Sequence, residues 1–127
     1  MALIPLNKFK TQTAVLSTST TATVYTAPIG VTSIILMAQV SNVTTQTQYV
    51  TLIHSRNRTI PADARGNNVQ PAGVKTELVK NYSIPRDDAA NLVTGKLILE
   101  TVDSIVCYSS SPDACKITLS ILETANA

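Results

Sequence analysis

The stretch Cys115-Lys-Ile-Thr-Leu-Ser-Ile-Leu122 decides the fold class. Ile117, Leu119 and Ile121 alternate with Thr118 and Ser120. A period of two is that of a strand with one face buried and one wet. Moving outward, Ser104 to Tyr108 reads as a strand, and Ser109 to Ala114 as the loop between the two. Lys96 to Val102 alternates in the same way, with Leu97 and Leu99 against Ile98 and Glu100. Nearer the start, Val31 to Asn42 is the most apolar strand. Its run Ile34-Ile-Leu-Met37 breaks alternation, which predicts burial on both faces or a bend within the strand. Thr13 to Ser17, Ala22 to Thr26, Gln48 to His54 and Lys75 to Ser83 complete about eight short strands. Val24 is expected to face away from Thr23 and Tyr25, and Pro28-Ile-Gly30 reads as a turn. Pro85 to Asn91 reads as a turn or one turn of helix. Short strands joined by polar turns predict a single antiparallel β-sandwich, of jelly-roll or immunoglobulin-like type.

Composition agrees. The 127 residues hold 18 Thr, 12 Val and 11 Ile but only 3 Glu and 6 Lys. Branched side chains suit a pleated surface, and strong helix formers are scarce. Charged residues make up 14% and net charge is +2, too little to predict nucleic-acid binding. The longest apolar run, Ile34 to Ala38, is far short of the roughly 20 residues of a membrane-spanning helix. A Thr-rich, charge-poor surface loses little solvation when another protein covers it, so it suits permanent assembly. It is equally what any Thr-rich sheet face looks like. Met1-Ala-Leu-Ile-Pro5 lacks the charged start of a signal peptide, so synthesis in a host cytoplasm is expected.

Two segments stand outside the strand pattern. Residues 1–12 read as an extended N-terminal arm, with Leu3, Ile4, Leu6 and Phe9 seeking either their own sheet or a neighbouring subunit; residues 13–127 read as the sandwich domain. Arg56 to Gly73 is a long aperiodic loop. Such loops are often interfaces, and Arg56, Arg58 and Arg65 are expected to meet a protein partner there. No aromatic residues interleave with them, which argues against base stacking.

Residues able to carry chemistry are few. Cys107 and Cys115 bracket a predicted hairpin loop, so a disulfide is one expectation and two buried thiols the other. A C-x7-C pair with one distant His lacks the four ligands of a zinc site. His54 is the sole histidine, and no nucleophile motif lies near it. Asp87-Asp88 reads as a solvated turn. A cluster of His54 with Asp87 or Asp103 in a pocket would point back to an enzyme. The Asn-x-Ser/Thr sequons at Asn42, Asn57 and Asn81 arise easily by chance among 18 Thr. No catalytic residue, metal or cofactor is expected, and no small-molecule ligand.

Thr23-Val-Tyr-Thr-Ala-Pro-Ile-Gly-Val-Thr-Ser-Ile-Ile-Leu-Met-Ala-Gln-Val-Ser-Asn42 joins a Tyr-Thr-Ala-Pro-x-Gly turn to an apolar strand ending in Asn. With Glu77-Leu-Val-Lys80, Ile84-Pro85, Asp88-Ala-Ala-Asn91, Thr94-Gly-Lys-Leu97 and Leu119-Ser-Ile-Leu-Glu-Thr124, it resembles small virion proteins of tailed bacteriophages, of the contractile-tailed, cyanophage-like type. The resemblance implies a β-sandwich attached to a phage particle, without catalytic residues. The expected role is capsid decoration by multivalent protein contacts, with a neck or tail component as the alternative. Expected partners are copies of itself and other virion proteins. A carbohydrate-binding adhesin is the competing class, although the chain has no Trp, and its four Tyr (25, 49, 82 and 108) fall in predicted strands.

Overall fold

The computed structural model describes residues 7–59, 69 and 71–125. Nine strands follow one another: β1 (Asn7–Val15), β2 (Thr23–Thr26), β3 (Val31–Asn42), β4 (Gln48–Ser55), β5 (Lys75–Ile84), β6 (Ala89–Asn91), β7 (Leu97–Leu99), β8 (Ser104–Ser109) and β9 (Cys115–Ala125). One sheet has the order β1-β9-β3, with β6 and β7 both on the far side of β3; the other is β2-β8-β4-β5. Every pairing is antiparallel. β6 pairs with residues 39–41 of β3 and β7 with residues 33–35, so together they form one interrupted strand. The pairing is then nested: first strand with last, β2 with β8, β3 with β6 and β7, and β4 with β5. A long hairpin rolled up on itself gives this order, the jelly roll.

The core lies between the sheets. Ile35, Ala38, Val40, Ile117, Leu119 and Ile121 from one sheet meet Val50, Leu52, Ile105 and Cys107 from the other. All are essentially inaccessible to water. The apolar run in β3 is resolved by a bulge between Ile35 and Met37. Before it Ser33 and Ile35 point inward; after it Ala38, Val40 and Asn42 do. The extra residue shifts the inward phase by one and bends the strand.

Several expectations change. β1 begins at Asn7, so residues 7–12 are the first six residues of the first strand, laid on their own sheet by pairing with β9 from Asn7↔Thr124 to Val15↔Lys116. Leu3, Ile4 and Leu6 lie outside the described residues. A bulge in β2 buries Val24 as well as Tyr25, where simple alternation put them on opposite faces. Residues 89–91 form β6 instead of ending a turn or helix. Cys107 and Cys115 do not face each other across a hairpin. They sit on β8 and β9, in different sheets, because 108–114 crosses between the layers, and both are free thiols in the core.

Burial, and then the charge of Cys115, pushes the Cys107 thiol from 9.0 up to about 12. Burial also raises Cys115. The folded protein therefore holds these protons more tightly than the unfolded chain. Their contribution to stability is complete below about pH 9 and is lost as pH rises toward 12. Each unit of separation is worth about 1.4 kcal/mol. Denaturant titrations at pH 8 and pH 11 should show the loss, and Cys107→Val should reduce it. Equal stability at the two pH values would contradict this account.

Candidate functional site

Three polar clusters tie the layers together. The first closes the mouth of the long loop after β4. Asp103, in the link between β7 and β8, is 1% exposed. One carboxylate oxygen accepts from the Asn57 backbone N–H at 3.3 Å. The other lies 3.3 Å from His54 Nε2 and 3.8 Å from the Arg56 guanidinium. Asn57 Nδ2 donates to the Val102 carbonyl at 2.9 Å and to Ser104 Oγ at 2.6 Å. Val102 has a φ of 59°, a conformation that a branched residue holds only when its surroundings impose it. Its N–H donates to the Ala27 carbonyl at 3.0 Å, so both of its backbone polar groups are engaged. Glu100 bridges Arg56 at 3.4 Å and Arg58 at 3.6 Å. The loop base is closed by Arg56 N–H to the Val74 carbonyl at 3.0 Å and Gly73 N–H to the Arg56 carbonyl at 2.6 Å.

The expected interface arginines thus begin with partners inside their own chain. Arg56 is turned inward, with 16% of its side chain exposed, while Arg58 is about half exposed. Arg65 lies outside the described residues. Phe9 points outward from β1 and is 75% exposed.

His54 and Asp103 do meet, and His54 lines a recess of about 280 Å³ with Arg56, Val69, Pro71, Val74 and Thr76. A nucleophilic triad needs a hydroxyl or thiol held by the histidine as well. Among the described residues, no hydroxyl or thiol is hydrogen-bonded to His54, and Asp103 also serves Asn57 and Arg56. The set has the form of a structural tie between a loop and a strand link. Asp87 and Asp88 are exposed in a turn, where Asp88 caps the Ala89 N–H at 2.8 Å. Among the described residues, no three His, Cys, Asp or Glu side chains are grouped to hold a metal.

The second cluster bridges the two sheets. Tyr25 on β2 donates to the Glu123 carboxylate of β9, and its hydroxyl lies 2.8 Å from Ser33 Oγ on β3. Lys10 sits 5.5 Å from the centre of the Tyr25 ring and 4.0 Å from Glu123. Burial and the Glu123 hydrogen bond push the Tyr25 hydroxyl up to about 12. The third is Asn42, 2% exposed at the end of β3. Its Nδ2 faces the carbonyls of Gln46, Ile84 and Pro85 at 2.7, 3.0 and 3.2 Å. Its Oδ1 accepts from the Thr44 N–H and hydroxyl at 2.9 and 2.7 Å. Tyr25 and Asn42 both serve as pins between layers.

The outer face of the β1-β9-β3 sheet is the other notable surface. Phe9 pairs with Leu122, Leu122 with Ile34, and Ile34 with Ile98. Residues directly opposite each other share a face, so these four form one apolar row across four strands. Phe9 is 75% and Ile98 59% exposed, and Leu122 and Ile34 are half-buried.

Fold and sites together define an all-β jelly-roll protein with layer-spanning polar pins. No protein-family model and no curated protein matches the chain. Among solved structures, a chain from the crystal structure of the T13 IBDV viral particle is similar over 96% of this chain and 31% of its own length, with 14% identity and a TM-score of 0.30. At that identity and score, no property of the particle passes to this chain. No helix among the described residues is long and apolar enough to cross a membrane.

Proposed function

We propose that the chain is a non-enzymatic structural subunit of a virus particle, acting through protein–protein contact. The observation that carries this reading is the jelly-roll topology combined with a charge-poor outer sheet face. Jelly rolls recur in viral capsid domains, which is support by fold analogy. The face adds a physical reason, since depletion of charge marks interface centres. The phage resemblance of residues 23–124 makes a tailed-phage particle the setting. Decoration of the capsid exterior is the favoured position, and the neck or tail the alternative.

Jelly rolls also occur in lectins. Tyr49 and Tyr82 are the exposed tyrosines, 48% and 46%. Tyr49 pairs with Ser83, so the neighbouring Tyr82 points to the opposite face of the β4–β5 ladder. They do not form a joint platform for a sugar.

Quantitative mass spectrometry of purified particles tests the reading. Hundreds of copies per particle are expected for decoration, and about a dozen for a neck or tail ring. Absence from the particle would rule out the structural role.

A further inference from the structure

We infer that the open edge of β1 pairs with β1 of a second copy, antiparallel and centred on Thr11, so that two β1-β9-β3 sheets join as one. This deepens the assembly reading by naming a contact and a partner; solution mass tests the contact and particle composition tests the reading, so either can fail alone.

The sheets end in β1 and the interrupted β6–β7 strand on one side, and in β2 and β5 on the other. Edge strands that stay unpaired are usually short, bulged or charged. β2 has four residues and a bulge. β5 shifts register twice and holds Asn81 at a φ of 50°. β6 and β7 have three residues each. β1 differs from all of these. Its nine residues pair with β9 without a register shift and include no Gly or Pro. Among the described residues it pairs on one side only. Its two lysines both lie beside an acid: Lys8 is opposite Glu123 in the ladder, and Lys10 is 4.0 Å from the same carboxylate.

The phase of the ladder shows which backbone groups the edge offers. In an antiparallel pair, alternate residues turn both polar groups toward the same neighbour. Leu16 N–H donates to the Cys115 carbonyl at 2.9 Å, one step beyond the Val15↔Lys116 pair and in the same register. On the far side of β9, Val43 N–H donates to the Ala114 carbonyl at 3.0 Å, which fixes the same phase. Lys8, Lys10, Gln12 and Ala14 therefore serve β9. Asn7, Phe9, Thr11, Thr13 and Val15 turn their N–H and C=O groups to the open side.

This edge complements itself. A two-fold axis through Thr11, normal to the sheet, sets Thr11 opposite its own copy, Phe9 opposite Thr13 and Asn7 opposite Val15, as an isologous contact requires. Every outward N–H then meets an outward carbonyl. Lys8 faces Ala14 and Lys10 faces Gln12, so no like charges oppose each other. Centring the pair on Lys10 would put two lysines face to face, which is destabilising. Centring it on Gln12 would shorten the ladder. Nine residues make a seam roughly 30 Å long at about 3.3 Å per residue. A single seam is a small interface, so association is weak on its own and gains strength when many copies assemble.

The test is the mass of the full chain in solution by sedimentation, over a concentration series. A dimer of twice 13.5 kDa is expected to form at about 100 micromolar. Thr11 is exposed, and Thr11→Pro deletes an N–H on the open side while sparing the β9 ladder. Association should be lost with the melting temperature kept. A charge pair gives a readout independent of that variant's folding. Thr11→Lys and Thr11→Glu each set like charges face to face at the two-fold axis, so each alone should associate poorly. Mixed one to one at low salt, they should associate roughly ten-fold more tightly than either does alone. A chain that stays monomeric at roughly 1 mM would overturn the inference. So would a mixture no tighter than its components, or a folded Thr11→Pro variant that associates undiminished.

Discussion

Asn42→Leu lowers the unfolding free energy by about 4 kcal/mol, on the expectation that each buried polar group left unpaired costs about 1–3 kcal/mol. The substitution keeps nearly the same volume, so the loss comes from hydrogen bonds and not from a cavity. Asn42 is 2% exposed and reaches the carbonyls of Gln46, Ile84 and Pro85. Ile84 ends the outer strand of one sheet, while Asn42 ends a central strand of the other. The amide therefore fastens the two layers where the chain passes between them. Leucine takes the Asn42 bonds from the Ile84 carbonyl and the Thr44 N–H, while the Gln46 and Pro85 carbonyls keep the Thr44 hydroxyl and the Asp88 N–H. At roughly 4 °C per kcal/mol for a chain of this size, the melting temperature falls by about 15 °C. Thr44→Val removes only a partly exposed partner and should cost under about 1 kcal/mol. Urea unfolding of the two variants separates these values. Similar small losses for both would show that Asn42 is no pin.

Asp103→Leu is the second large effect, about 3 kcal/mol. Removing one member of a buried, hydrogen-bonded charge set typically costs about 3–5 kcal/mol, because the remaining polar groups stay buried. Here those groups are His54, 14% exposed at its side chain, the Asn57 N–H and the inward-turned Arg56. Glu100→Gln, by contrast, loosens pairs whose acidic partner is 42% exposed, and exposed pairs contribute at most about 1 kcal/mol. If Asp103→Leu and Glu100→Gln cost the same, the tie is only a surface feature. The Asp103 variant should also raise proteolytic cleavage between β4 and β5, because the base of the loop loses its anchor. Limited proteolysis at constant temperature checks that separately.

The strands with clean alternation were legible. Ile117, Leu119 and Ile121 are buried as their spacing implies, and of the two readings of Ile34–Met37, burial on both faces or a bend, the bulge at Leu36 gives the bend. Positions where the backbone departs from a regular ladder were less so. Val24 and Tyr25 are buried together because a bulge suspends alternation, and no residue type announces a bulge. β6 is three residues long, too short for a period to appear. The choice between jelly roll and immunoglobulin-like sandwich was open for a deeper reason. Both present alternating strands, and only the pairing order separates them; that order is set by contacts remote in sequence. Asp103 drew notice only as a possible partner of His54. Nothing local shows that Asn57 and Arg56 also converge on it, across 46 positions in the case of Asn57. The role of Asn42 was hidden in the same way, since its acceptors lie mostly in a later segment.

The pairing of β1 with β9 has a consequence for synthesis. Asn7 and Thr124, joined by a side-chain hydrogen bond at 2.9 Å, are 117 positions apart. At about 5–20 residues per second, a ribosome needs roughly 6–25 s to pass from one to the other. For that interval the first strand has no neighbour, because its one partner has not been made. β3 also lacks its longest pairing until β9 emerges. The nascent chain therefore carries unpaired, branched-residue strands in the crowded cell, a species prone to pairing with other chains. Closure of the roll waits for β9 and is slow on the scale of folding domains because its contacts are remote. Output of folded protein is then governed as much by chaperone supply as by the stability of the finished sandwich.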